Sequence, residues 1–181
     1  MNCTKFDIEG LVLMEPRRFH DDRGYFFESF NEEKYKAVLG DNVVFVQDNV
    51  SCSKKNVLRG LHFQLPPFAQ GKLVSVLKGK VLDVAVDLRK DSPTYGQHAI
   101  VELSAENGLQ FYIPTGFAHG FVSLEEDTLF SYKCTNYYSP SHEETLLWND
   151  SKLGIDWNCI TPLVSSKDEI GKLFDTFVSP F

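Results

Sequence analysis

At 181 residues the chain is long enough to close a sizeable core, and one domain spanning residues 1–181 is the expectation. A hydrophobic content of 43% and an aromatic content of 13% exclude a disordered chain, and fifteen Phe with seven Tyr suit β structure. A net charge of −7 excludes the basic surface that general nucleic-acid binding needs, yet permits a local cluster of Arg and Lys around a small anion.

The amino-terminal run MNCTKFDIEG has neither the basic nor the apolar region of a signal peptide, and no run of 18 apolar residues occurs, so no membrane partner is expected. Cysteines fall at 3, 52, 134 and 159, with no C-x-x-C and no zinc spacing. These features predict a soluble cytoplasmic protein with reduced thiols. Residues 6–30 alternate apolar runs with polar breaks. Within them FHDDRGYFFESF reads as a turn at 21–24 feeding a strand over 25–30. Asn31 then caps a short helix over 32–39, with acids in its first turn and Gly40 past its end.

From residue 42 the pattern is β for about a hundred residues. Strands are predicted at 43–50, 56–64, 73–77, 80–87, 97–103, 109–113, 119–124 and 128–135. Turn signals separate them at 54–55, 66–67, 78–79, 91–93, 106–108 and 125–127. Such spacing with almost no helix predicts a sandwich or barrel, and VLKGKVLDVAVDL is the clearest hairpin. Residues 138–181 form a less regular tail, with Trp148 and Trp157 as anchors. Ser166-x-x-Glu169 fits a capping box that opens a helix over 167–177.

The chemistry concentrates in residues 57–79, VLRGLHFQLPPFAQGKLVSVLKG. His62 has Arg59 three residues before it and Lys72 ten residues after it, on two strand-like runs. A titratable imidazole flanked by cations on rigid β structure suits proton transfer. The plain alternative is a hydrogen-bonded strand His. Strict alternation puts Arg59 and His62 on opposite faces, and Gly60 between them is placed to supply a bulge that turns both inward. Tyr132 shares a strand face with Phe130 and Cys134. It is either a core aromatic or a proton donor, since a phenol with a free pKa of about 10 is protonated at neutral pH. Asp168, beside Lys167 in the first turn of the tail helix, either complements the helix dipole or orients a His.

His119 closes the pattern Gly108-x5-Pro114-x-Gly116-x2-His119. That pattern resembles the second motif of the cupin superfamily, small β-barrels or jelly rolls, with Ser123 where the motif ends in Asn. Many cupins hold a metal with two His and a carboxylate from a first motif and this fourth His. Here the first motif reads His62-x-Gln64 and then Gln70. Two neutral amides in place of imidazole and carboxylate make a poor site for a divalent first-row ion, so no metal and no cofactor is expected.

Eight ordered segments carry a closer likeness: FHDDRGYFFESF, FVQDNVS, VLRGLHFQ, QGKLVSVLKGKVLDVAVDLR, PTGFAHGF, YKCTNYYSP, WND and SSKD. Together they resemble the dTDP-4-dehydrorhamnose 3,5-epimerase family over nearly the whole chain. The resemblance implies an all-β cupin-type jelly roll with short peripheral helices, metal-free acid–base catalysis on a nucleotide-linked 4-keto-6-deoxy sugar, and a homodimer that exchanges strands. Matched motif by motif, it implies His62 as general base, Tyr132 as general acid, Asp168 as partner of the His and Lys72 at the C4 oxygen. It implies substrate-binding roles for Arg23, Glu28, Gln47, Asp48, Asn49, Arg59, His119, Glu143 and Lys167, and places Tyr138 in the base-stacking region. The reaction implied inverts C3 and C5 of dTDP-4-dehydro-6-deoxy-glucose to give dTDP-4-dehydro-rhamnose. The alternatives are an epimerase of one carbon only or of another nucleotide-linked 4-keto sugar, a metal-dependent cupin such as a dioxygenase, and a non-enzymatic sugar-nucleotide or carbohydrate-binding module. One departure from the family pattern is Asn158, which follows Trp157 where Pro is usual.

Overall fold

A computed structural model describes residues 1–181. In chain order the strands are β1 (Asn2–Lys5), β2 (Val12–Glu15), β3 (Phe19–Asp21), β4 (Gly24–Phe26), β5 (Gln47–Ser53), β6 (Leu58–Gln64) and β7 (Lys72–Lys78). They continue with β8 (Lys80–Asp87), β9 (His98–Ser104), β10 (Gln110–Ile113), β11 (Phe117–Ser123), β12 (Thr128–Cys134) and β13 (Glu143–Thr145). Helix α1 (Glu32–Leu39) precedes β5, and α2 (Ser166–Glu169) is a single turn in the tail. One sheet runs β1-β2-β10-β7-β12-β5, the other β13-β6-β11-β8-β9, and β3 and β4 form a separate hairpin. Successive strands from β6 to β13 mostly change sheet, which is the wrapping of a jelly roll. The fold is therefore an all-β, cupin-type jelly roll, a sandwich as the strand spacing predicted and the jelly roll that the family resemblance implied.

Period-two alternation decides what faces the interior. On β7, Val74 and Val76 enter the central core, whereas Leu73 points outward and packs with Val12, Met14, Tyr35 and Tyr112 beneath α1. On β11, Phe117 and Phe121 point in, and Ala118 and Val122 point out into a second cluster made with the tail. That outer cluster includes Leu146, Leu153 and Trp157, and the Trp157 indole donates to the Trp148 carbonyl at 2.8 Å. The two tryptophans anchor the tail as the sequence implied.

The Gly60 bulge is present. His119 pairs with His62 and Phe121 with Arg59, so Gly60 and Leu61 together oppose Gly120. Leu58, Leu61 and Phe63 consequently lie on the outer face of β6 with the tail, which leaves Arg59, His62 and Gln64 on the inner one. Only glycine fits here. Gly60 has φ +141°, and a Cβ would stand 2.6 Å from the Gly120 Cα.

Several elements differ from their predicted bounds. The apolar run 43–46 packs Val43 and Phe45 against α1, and strand pairing begins only at Gln47. Strands β1, β2 and β13 have three or four residues each, too few to show a period. The tail helix expected over 167–177 is one turn, capped by Ser165 rather than Ser166, followed by a 3₁₀ turn at Phe174–Thr176. Backbone pairing ends it. Lys172 N donates to the Thr145 carbonyl at 2.9 Å and Leu147 N to the Lys172 carbonyl at 2.8 Å, while Gly171 lies against Leu146 too closely for any Cβ. At α1 the reading holds, with the Asn31 side chain accepting from Lys34 N at 3.2 Å.

The turn after β8 rests on Asp87, whose side chain is fully buried. Its carboxylate accepts from Arg89 Nε and Nη2 at 2.8 Å each, and from the Ser92 and Thr94 hydroxyls at 2.7 Å. Burial pushes this carboxyl up, but the hydrogen bonds outweigh it and hold the pKa at about 2. A depressed carboxylate pKa contributes stability that is fully present above the unfolded value of roughly 3.9 and is lost as pH falls towards 2. Asp87→Asn is expected to cost about 2 kcal/mol at neutral pH and to flatten the acid limb of the stability curve between pH ~4 and ~2. Urea titrations of both forms across that range check it; parallel curves would mean that Asp87 is not the group responsible.

Candidate active site

Between the two sheets, at the end where β6 and β7 diverge, lies a cleft of about 320 Å³. On β5 and β12 the lining residues share one parity, and on β6 Phe63 touches the cleft between His62 and Gln64. From β6 come His62 and Gln64, from β7 Lys72, from β5 Gln47 and Asn49, and from β12 Tyr132 and Cys134. Gln70 closes one side, and Tyr138 and Glu143 form the rim. The imidazole thus belongs to one sheet and the ammonium and phenol to the other, and they share a single hollow.

His62 Nε2 lies 2.6 Å from Asp168 Oδ1. Asp168 is 3% exposed and reaches β6 from the single-turn α2. Burial pushes its carboxyl up, and hydrogen bonds and charge from His62, Ser165 and the Gly60 N–H outweigh that, for a net lowering. The group facing His62 is therefore a carboxylate at neutral pH. It orients the ring through one nitrogen and leaves the other for chemistry.

Lys72 sits on the cleft floor with Nζ 3.5 Å from the His62 carbonyl. Burial lowers its pKa, opposed by Cys134, Asp83 and Glu143. Burial raises the Tyr132 phenol, aided by Cys134 and Glu143 and opposed by Arg59, so the phenol keeps its proton at neutral pH. At the rim Glu143 accepts from the Tyr138 hydroxyl at 2.8 Å and pairs with Lys167. Burial raises this carboxyl, and Lys167 and Tyr138 bring it below its ordinary value. A base backed by a carboxylate, a phenolic acid and a cation at one small cavity form the equipment for removing and returning a proton beside a carbonyl.

The sequence model of the dTDP-4-dehydrorhamnose 3,5-epimerase family matches residues 5–176. The chain belongs to that family. It is 55% identical over 176 residues to the dTDP-4-dehydrorhamnose 3,5-epimerase of Salmonella typhimurium, covering 97% of this chain and 96% of the relative. A crystal structure of the dTDP-6-deoxy-D-glucose-3,5-epimerase of Legionella pneumophila, in complex with dTDP-4-keto-L-rhamnose, superposes with a TM-score of 0.94 at 48% identity, covering 98% of this chain and 94% of that one. A 3'-monoepimerase of Streptomyces bikiniensis, solved with dTDP-quinovose, superposes with a TM-score of 0.89 at 35% identity, covering 94% and 87%.

In this member of the 3,5-epimerase family not every residue singled out in the sequence reaches the cleft. Gln47 and Asn49 do, joined by a 3.1 Å hydrogen bond, but Asp48 lies on the opposite face of β5 and pairs with Lys133 at 2.9 Å. His119 is buried behind the floor, its Nε2 2.9 Å from Asp83 Oδ2, and burial lowers its pKa against the pull of Asp83. Arg59 stays near the cleft, with Nε donating to the Ser53 hydroxyl at 3.1 Å. Arg23 and Glu28 are elsewhere. Arg23 is exposed on the β3–β4 turn and pairs with Asp21 at 2.5 Å, and Glu28 pairs with Lys34 at the start of α1. Gln64 and Gln70, noticed in the sequence only as poor metal ligands, are committed to loop carbonyls. Gln64 Nε2 donates to Phe68 O at 2.8 Å and Gln70 Nε2 to Asn136 O at 2.7 Å. The cleft role of Cys134 was readable from its parity with Tyr132.

Proposed function

We propose that the chain is an isomerase that inverts C3 and C5 of dTDP-4-dehydro-6-deoxy-glucose, giving dTDP-4-dehydro-rhamnose, by general acid–base catalysis. The observation that carries the reading is the meeting of His62, backed by Asp168, with Lys72 and Tyr132 across one cleft. The C3 and C5 protons are both α to the C4 ketone. His62 removes one of them, and the electron pair moves onto O4 as an enolate. Lys72 stabilises that charge, an interaction of about 3 kcal/mol by analogy with a single oxyanion donor. Tyr132 then delivers a proton to the opposite ring face and inverts the centre. His62 and Tyr132 exchange protons with water to reset, and the sugar shifts between the two carbons.

The ligand of the Legionella relative supports a nucleotide-linked 4-keto sugar as substrate. Arg59, whose charge reaches Tyr132, and Lys167, paired with the rim Glu143, are the cations offered to its diphosphate, and an exposed Tyr138 offers a face to its base. A homodimer is part of the proposal. Phe19, Tyr25 and Phe26 on the β3–β4 hairpin are half or more exposed, and Arg23 and Glu28 lie outside the cleft of their own chain. A hairpin lent to a second copy brings these residues to a site. Light scattering that returned the mass of one chain would end this part. Four free thiols accord with a reducing cytoplasm.

The Streptomyces relative supports a second reading, inversion at one carbon only. Both are tested by incubating the protein with the dTDP-linked 4-keto sugar in deuterated water and reading mass and proton NMR. Two deuterons, at C3 and C5, are the expected result. One deuteron establishes the mono-epimerase, and none removes the epimerase reading altogether.

A further inference from the structure

We propose that Gln64 is a positioning residue: it fixes the strap of residues 135–139 and so sets affinity for the nucleotide half of the substrate. This rests on the function proposed above. Gln64 is 4% exposed and shares the inner face of β6 with His62. Both N–H donors of its amide and one acceptor site of its oxygen are committed to loops. Nε2 donates to Phe68 O at 2.8 Å and to Tyr137 O at 3.2 Å, and Oε1 accepts from Ser139 N at 2.6 Å. The second and third bonds bracket Tyr138, one on each side of it in the chain.

Between those two clamps Tyr138 turns its ring to the cleft mouth, 50% exposed, with its hydroxyl on Glu143 and its N–H donating to Gln47 Oε1 at 2.9 Å. An exposed ring held at both peptide neighbours is a platform for a flat base. The reacting groups are fixed by other means: His62 by Asp168, and Lys72 and Tyr132 by their own strands. A neutral amide does at this place what a metal-binding imidazole could not, since it donates twice and accepts once in the same plane. Loss of the clamp loosens nucleotide binding and leaves the proton chemistry in place.

The test measures KM and kcat with the dTDP-linked keto sugar, and Kd for dTDP itself by calorimetry. Gln64→Glu faces the Phe68 and Tyr137 carbonyls with an oxygen that has no hydrogen. Gln64→Met keeps the length and removes all three bonds. Both are expected to raise KM and the dTDP Kd about tenfold or more, with kcat within roughly threefold. Asn136→Ala, at a half-buried position, cuts a 3.1 Å bond from the same strap to Pro67 O and is expected to weaken dTDP by about threefold. Adding Tyr138→Ala to Gln64→Met costs little beyond either change alone if the two act as a unit. The proposal is overturned by a kcat loss at unchanged KM, by unchanged dTDP affinity, or by fully additive losses. If the Gln64 variants do not fold, Asn136→Ala decides it, and unchanged dTDP affinity there overturns it. A wild-type chain that binds dTDP but inverts no keto sugar removes the proposed reaction, and the dTDP measurements still decide the clamp.

Discussion

His62→Ala is expected to lower kcat by about a thousandfold and to stop deuterium entering C3 and C5 together, since a positioned base contributes of order 10²–10⁴ and both carbons use the same one. A thousandfold corresponds to roughly 4 kcal/mol of transition-state stabilisation. No neighbour is placed to substitute. Lys72 Nζ is the nearest other nitrogen on the floor, and it must stay charged to stabilise O4. His119, the other imidazole of the fold's interior, is tied to Asp83 and lies behind the floor. The fold should survive, because His62 packs into none of the three hydrophobic clusters and its side chain is 27% exposed. Its removal leaves Asp168 with Ser165 and Gly60 for company, so the Asp168 pKa should rise. His62→Gln can return a donor to that carboxylate without a base for the sugar, and should be equally inactive. Normal exchange in either variant would remove His62 from the mechanism.

Much of this cleft could be read from strand parity. Lys72 shares its face with Val74 and Val76, Tyr132 with Phe130 and Cys134, and Gln47 with Asn49, and each pair of neighbours went where alternation sends it. The same rule, applied strictly, would have taken Asp48 out of the substrate list, since it stands between two inward residues. The bulge at Gly60 was the one irregularity that mattered, and glycine at that position announced it. What the residues alone did not yield was the approach of Asp168 to His62. The two are 106 positions apart, and the tail that joins them follows backbone pairing with β13 and its neighbours, not a helical period. Local propensity favoured a helix over 167–177, and long-range packing stopped it after one turn. The roles of individual side chains came from family resemblance, because charge and spacing alone describe an anion site with a candidate base. Arg23 and Glu28 illustrate the limit, since each is paired locally outside the cleft of its own chain and nothing in the neighbouring sequence sets it apart from an ordinary surface charge.

Tyr132→Phe separates the two halves of the reaction. The variant is expected to keep solvent exchange of the α protons at a rate near that of the unaltered protein while inversion falls by roughly 10²–10³. The ring itself should not move. Tyr132 packs against Phe130 with centroids 6.1 Å apart, and the influences on its phenol are burial and nearby charge, with no hydrogen bond among them. Removing one oxygen therefore leaves the packing, the His62–Asp168 pair and the Lys72 cation as they were. With its donor gone, the enolate is reprotonated from the His62 side, which restores the original centre with a deuteron in it. The signature is label without inversion, read by mass and by the NMR coupling constants of the recovered sugar. Burial raises the phenol above its ordinary value near 10, so in the unaltered protein inversion should hold to high pH before the acid is lost. The Phe variant should lack that alkaline limb. If exchange and inversion fall together, Tyr132 is needed for abstraction as well, and its assignment as the acid on the opposite face fails.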